Sequence, residues 1–272
     1  MKNREWLERS ALALVLPFVA GSVNASGFFI VGAYTSHVTG SVARAGDEAA
    51  QGHVAAAIQP LFLVLCFYLG AVLATALVTR AGRNNRARYV TALLTEAAML
   101  LVVTLLGVME PKGVRFLREV TTSLLCLAMG VQNSLVTKLS GAVVRTTHLT
   151  GVVTDLGIET VHVWEWLRHR SGGKGFWHRL GLALSVSTVP ELKRLRLLAA
   201  IFFSFATGAL VGPMLYLRQG FASMVVPVIV LLGLVFFDSV IGLRSGHPVR
   251  EPAPAPPLAA EAPVPPPQPP VN

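Results

Sequence analysis

Charge is what this sequence has least of. Only 14% of its 272 residues are Asp, Glu, Lys or Arg, against roughly 25% in a soluble domain, so most of the chain has too little polar surface to face water. Cysteine is scarce too: Cys66 and Cys126 each lie within an apolar run, which excludes a disulfide framework and a thiolate metal knot and leaves both as small packing residues. A Gly-rich phosphate loop, a zinc-protease helix and a nucleophile elbow are all missing. Those absences argue against an ATP-driven pump and against an intramembrane enzyme, and no cofactor or metal is expected.

Apolar length is what the chain has in abundance. Hydrophobic residues make up 53% of it, and the mean hydropathy is +0.60. About 20 apolar residues in a helix, at 1.5 Å each, cross a hydrocarbon core of roughly 30 Å, and runs of that size occur at 11–33, 56–79, 88–109, 117–138, 197–217 and 222–243. In lipid the backbone must pair within helices or a closed barrel. The period-2 alternation of barrel strands is not present, so the sequence predicts an all-α integral membrane protein with six transmembrane helices.

The net charge of +9 and pI near 10.3 do not indicate nucleic acid as a partner. The basic residues sit in short loops beside apolar runs, without interleaved aromatics, and the positive-inside bias accounts for them. With both termini cytoplasmic, 18 Lys and Arg fall inside, among them the cluster at 80–88 and a basic loop at 168–196, and 5 fall outside. Making both 34–50 and 145–167 full crossings would put the 80–88 cluster outside. These two segments are therefore expected to enter or lie against the membrane without crossing it. The start of the chain, with Lys2, Arg4 and Arg9 ahead of an apolar run and Val23-Asn24-Ala25 behind it, imitates a secretory signal. Because the run continues through Phe28, Phe29, Ile30 and Val31, it is expected to remain as the first span, after a cytoplasmic N-terminus of residues 1–10. Of the 17 prolines, 11 lie between Pro248 and Pro270, so 246–272 is expected to be a solvated, disordered Pro/Ala-rich tail.

A pattern recurs in the chain. Ser36-His37-Val38-Thr39-Gly40-Ser41-Val42 returns as Thr147-His148-Leu149-Thr150-Gly151-Val152-Val153, and Gly21-Ser22-Val23-Asn24-Ala25 is matched by Gly130-Val131-Gln132-Asn133-Ser134. An internal duplication explains both. Each unit, 11–115 and 116–245, then holds three crossings and one extra broken or re-entrant segment. An odd number of crossings turns the second unit upside down, an arrangement known from secondary transporters whose sites lie near the midplane. On these residues, and on Ala128-Met129-Gly130-Val131-Gln132-Asn133 leading to Val144-Arg145-Thr146-Thr147-His148-Leu149-Thr150-Gly151 and Asp155-Leu156-Gly157, the chain resembles the YoaK-like family of uncharacterised bacterial inner-membrane proteins. The resemblance covers about residues 10–245. It implies a bacterial multi-pass membrane protein and no particular activity.

The polar residues at span depth are the candidates for a site. His37 and Thr39, with their repeat equivalents His148 and Thr150, read either as a paired gate or relay or as caps on broken helices. If 147–167 is one helix, Asp155 and Glu159 share a face with His148 and His162, as a proton path or as one side of an interfacial helix. Glu96 lies within the third span, where an unpaired charge costs at least about 2.5–3.5 kcal/mol, so it must be protonated, paired or facing water. Asn24, Gln132 and Asn133 can bind a polar solute or join helices.

The leading function is a secondary transporter or small-solute permease, with the lipid bilayer, an unidentified solute that a proton could accompany, and a second copy of the chain as the partners it allows. The alternative is a non-transporting scaffold or sensor acting through the basic loop and the tail. The topology is open to direct test: single cysteines placed at 83 and in the tail should react with an impermeant thiol reagent only from the inside, and external labelling at position 83 would overturn the assignment.

Overall fold

Every element in the described part of the chain is helical. The computed structural model describes residues 2–81, 88–109, 115–139, 149–170 and 190–241. In chain order they form α1 (Lys2–Val31), α2 (Val38–Ala50), α3 (Val54–Arg80), α4 (Arg88–Met109), α5 (Arg115–Leu139), α6 (Leu149–Arg170), α7 (Pro190–Gln219), a 3₁₀ turn (Gly220–Met224) and α8 (Val225–Ile241). His148, most of the basic loop and the proline-rich tail lie outside the described residues.

Five stretches are long and apolar enough to cross a membrane: Leu14–Val31, Val54–Arg80, Tyr89–Met109, Leu117–Lys138 and Leu192–Phe237. Large apolar side chains such as Phe62, Leu65, Phe203 and Phe236 stay exposed on them, and lipid is the solvent that tolerates such a surface. Separate crossings at 197–217 and 222–243 were expected. The helices there, α7 and α8, are distinct but share one apolar stretch of 46 residues, more than twice what a crossing needs. No polar loop divides it; the break is the 3₁₀ turn, where Gly220 takes φ +59°, a conformation that glycine adopts freely. Neither α2 nor α6 is among the apolar stretches. α2 has 13 residues, and α6 carries Asp155, Glu159 and Glu165 with Arg168, His169 and Arg170 in its last turn.

Two helix pairs approach more intimately than any others. Ser204 Oγ donates to the Leu14 carbonyl, Gly208 lies on the backbone of Phe18, and Gly212 lies on that of Ser22. The contacts climb four residues at a time on both helices, so α1 and α7 run parallel. Similarly, Gly130 lies against Phe67 and Ala71, and the hydroxyls of Thr75 and Ser134 bond at 2.9 Å, so α3 and α5 also run parallel. The two pairs point in opposite directions, because Gln132 on α5 donates to the Leu16 carbonyl and Arg118 to the Val31 carbonyl, an antiparallel register between α5 and α1. α4 packs against α5 and α8, and Phe221 of the 3₁₀ turn sits on Gly107 near the end of α4.

Lipid tails are as apolar as a leucine core, so burial of apolar area does little to hold helices together in a bilayer, and close van der Waals contact between small residues has to do so. At Gly21 a methyl group would land on the Phe205 carbonyl oxygen; at Gly130 it would land on that of Phe67. Gly21→Ala and Gly130→Ala should therefore each lose about 1–3 kcal/mol through forced separation of the pair. Gly157→Ala, at an open position of α6, should be neutral or gain up to about 1 kcal/mol from helix propensity. Thermal unfolding in detergent checks this, and equal melting of all three variants would refute the packing argument.

Candidate functional site

The turn after α1 is built from side chains of α1 and α5. Gly32 breaks the helix at φ +76°, and Arg118 of α5 donates to the Val31 carbonyl at 3.0 Å, placing a cation at the negative end of α1. Asn24 Oδ1 accepts from both the backbone N–H and the hydroxyl of Ser36, each at 2.9 Å. Tyr34 stacks on Phe28 with ring centroids 4.8 Å apart. Asn24 thus acts as the clamp that folds the turn back along its own helix.

His37 follows as the residue ahead of α2, exposed, and with no side-chain cap bond. Its ring lies on Gly40, where any Cβ would collide with it, which gives the His-x-Thr-Gly spacing a local packing reason. Thr39 is exposed on the first turn of α2, and Thr150 is exposed on α6, its carbonyl accepting from Thr154 Oγ1.

Gln132, Asn133 and Glu96 lie deeper. Gln132 is fully buried on α5; its Nε2 donates to the Leu16 carbonyl at 2.9 Å, and its Oε1 has no partner. Asn133 Nδ2 donates to the Met129 carbonyl one turn back at 3.0 Å. Glu96 on α4 is 0% exposed, and neither carboxyl oxygen has a hydrogen-bond partner among the described residues. Its neighbours along α4, Leu93, Ala97 and Leu100, belong to the main core cluster, which also takes in Ala128 and Leu231. Along the α1–α5 contact Asn24 lies midway between Leu16 and Val31, whereas Asn133 is next to Gln132 at the Leu16 end, so these two amides are not brought together.

Asp155 and Glu159 belong to a different place. Arg194 of α7 bonds Glu159 at 3.0 Å and Asp155 at 3.5 Å, and His162 Nδ1 stands 3.8 Å from Glu159. This ionic cluster ties α6 to the start of α7, above the apolar contact of Val163, Leu167 and Leu192. Among the described residues no group of His, Cys, Asp and Glu is arranged to hold a metal.

Several buried hydroxyls escape a reading of the sequence. Ser26 Oγ, Thr35 Oγ1 and Thr121 Oγ1 are enclosed without partners. Serine and threonine in a span usually bond their own backbone one turn back, as Thr104 and Thr122 do here, so nothing in the sequence separates the unsatisfied ones. A second signal was available: Phe67-Tyr68-Leu69-Gly70-Ala71 recurs as Phe205-Ala206-Thr207-Gly208-Ala209, and both segments lie at the close helix contacts.

Several apolar helices, an exterior fit for lipid and ionisable groups enclosed among the helices define a polytopic α-helical membrane protein. The family model for proteins of unknown function called DUF1275 matches residues 12–237, and the chain belongs to that family. No curated protein and no solved structure matches it.

The ionic cluster can be weighed by substitution. Glu159 has 5% of its side chain exposed and Arg194 has 56%. Arg194→Ala strands a buried carboxylate, which costs about 3–5 kcal/mol for a wholly buried pair, and solvent at the guanidinium reduces that to about 1–3 kcal/mol. Glu159→Gln should cost less than Arg194→Ala, since it leaves no unpaired anion. Thermal midpoints in detergent give the comparison, and the reverse order would show that the cluster does not hold α6 in place.

Proposed function

We propose that the protein is a secondary transporter, or a permease for a small solute, made of two inverted repeats of three crossings, 11–115 and 116–245, in a bacterial inner membrane with both termini cytoplasmic. One observation carries this reading: the two close helix pairs are related residue by residue. A single shift in numbering takes Phe18 to Leu127 and Gly21 to Gly130; a second takes Phe67, Gly70 and Ala71 to Phe205, Gly208 and Ala209. Under that exchange, Gly21 on the Phe205 carbonyl and Ala209 N–H becomes Gly130 on the Phe67 carbonyl and Ala71 N–H, while Gly208 on Phe18 becomes Gly70 on Leu127. The first shift also aligns Asn24 with Asn133, the match already present in the sequence repeat.

Part of the remaining packing follows the same exchange. α2 packs on α3 as α6 packs on α7, and the α1–α5 and α4–α8 contacts each map onto themselves. α8, with 17 residues, serves as the sixth crossing at a length of about 25 Å. Antiparallel α1 and α5 are what an inverted repeat demands of its first helices. Such repeats place a site on the axis between them and alternate its exposure by rocking one set of helices against the other. Glu96, buried and unpartnered, supplies a polar group close to that axis. The YoaK-like resemblance and the partition of basic residues support the location and orientation.

The test is uptake. Purified protein in sealed vesicles, offered a panel of labelled small solutes with and without a pH gradient, should accumulate at least one of them above protein-free vesicles. Uptake of none by vesicles containing folded protein, together with loss of the cellular role on removal of 246–272, would replace the transporter with the scaffold reading.

A further inference from the structure

Buried polar atoms without partners are not scattered through this molecule. Among the described residues they are Ser26 Oγ, Thr35 Oγ1, both oxygens of Glu96, Thr121 Oγ1 and Gln132 Oε1. All belong to α1, the turn that follows it, α4 and α5; none belongs to α2, α3, α6, α7 or α8. Each such group costs about 1–3 kcal/mol relative to a satisfied one, and lipid offers no water to relieve it.

Their order along the protein is informative. The α1–α5 contact runs from Gln132 against Leu16 to Arg118 against Val31, which sets Thr121 beside Ser26 and Gly27, and Thr35 packs on Gly27. Gln132 and Thr121 therefore mark two depths on one helix, about 16 Å apart at 1.5 Å per residue, a separation that covers half of a hydrocarbon core. Leu93, Ala97 and Leu100, which flank Glu96 on α4, share the core cluster with Leu125 and Ala128, residues of α5 that lie between those two depths. The row thus leads from hydroxyls at one end, past a carboxyl, to an amide oxygen at the other.

We infer that this seam between α1 and α5, with α4 packed on α5 beside it, is the route of a small cation through the protein, with Glu96 holding it midway and the hydroxyl and amide oxygens as its ligands on either side. The inference rests on the transporter reading and adds the path and the sign of the charge. The sign follows from the lining: the buried polar side chains of the described residues include carboxyl, amide and hydroxyl groups but no Lys, Arg or His, so a buried anion would find no counter-charge. Arg118 and Lys138 of α5 stand towards the two ends of the seam, Cys126 of α5 packs with Cys66 of α3 in a separate cluster, and no charged group pairs with Glu96. Oxygen ligands of this kind suit a proton or an alkali cation alike.

Two measurements on the full chain test it. First, in a background with Cys66 and Cys126 replaced by Ala, Ser26→Cys, Thr121→Cys and Gln132→Cys are exposed to a small cationic methanethiosulfonate. Positions 26 and 121 should react from one face of the membrane and 132 from the other. Second, proteoliposomes with entrapped pH, sodium or potassium dyes should report downhill movement of one of these ions, with Glu96→Gln slowing it about tenfold or more, the change that 1.4 kcal/mol produces, and Thr154→Val on the exposed face of α6 leaving it unchanged. Silent seam cysteines in folded protein that still carries a solute in the uptake screen overturn the path and leave the transporter reading standing. Movement of a neutral or anionic solute, with no ion flux dependent on Glu96, overturns the cation. If no solute of any kind moves, the transporter reading falls and takes the path with it.

Discussion

The approach of helix backbone to helix backbone at Gly21, Gly70, Gly130 and Gly208 is the contact on which the rest of the packing depends. Glycine leaves the neighbouring carbonyl within reach of the Cα, so each pair gains dispersion and weak Cα–H···O contacts along its whole length. Parallel neighbours align their helix dipoles unfavourably. Here one parallel pair is set against another pointing the opposite way, so the charges at the helix ends offset one another across the molecule. α4 and α8 then lie across the pairs, and Phe221 fills the space over Gly107.

That arrangement also entwines the two halves of the chain. α1 finds its closest partner in α7, and α3 finds its in α5, so each tight pair takes one helix from α1–α4 and one from α5–α8. Contacts so far apart in sequence are slow to form. Until α7 is inserted, Ser22 and Gly21 of α1 face lipid or a provisional neighbour. The direct bonds from Ser36 to the Asn24 amide oxygen matter at that stage, because they satisfy the polar turn before its distant neighbours arrive.

How much of this could be read from the sequence depends on whether the signal is local. Apolar length marks the crossings, and charge sets α2 and α6 apart from them, because both are one-dimensional properties. The mid-span position of Glu96 was readable for the same reason, but its enclosure without a partner was not, because the sequence allows a protonated, a paired or a water-facing carboxyl there. The match of Gly21–Ala25 with Gly130–Ser134 was also visible, yet what the glycines touch was not, because the partner segments at 67–71 and 205–209 share only Phe, Gly and Ala. His37 and Asp155 show the opposite limit. Repetition and helical spacing made them site candidates, but His37 rests on Gly40 of its own motif, and Asp155 meets Arg194 from another helix, a partner that its spacing does not imply.

The distribution of satisfied and unsatisfied groups separates what is stiff in this fold from what can change. Within the close pairs, Thr75 bonds Ser134 and Ser204 bonds the Leu14 carbonyl, and glycine brings the backbones to contact. Between the pairs, α1 and α5 meet through side chains, with one amide bonded on a single side and hydroxyls left unmade. A contact that leaves polar groups unsatisfied in one arrangement stores free energy that a second arrangement, or a bound ion, can recover. A switch between two arrangements needs an element whose alternatives differ by only a few kcal/mol. On the transporter reading, the row of unpartnered oxygens between the two close pairs is where such an element would lie, whereas uniform apolar packing along the same seam would favour a single closed state.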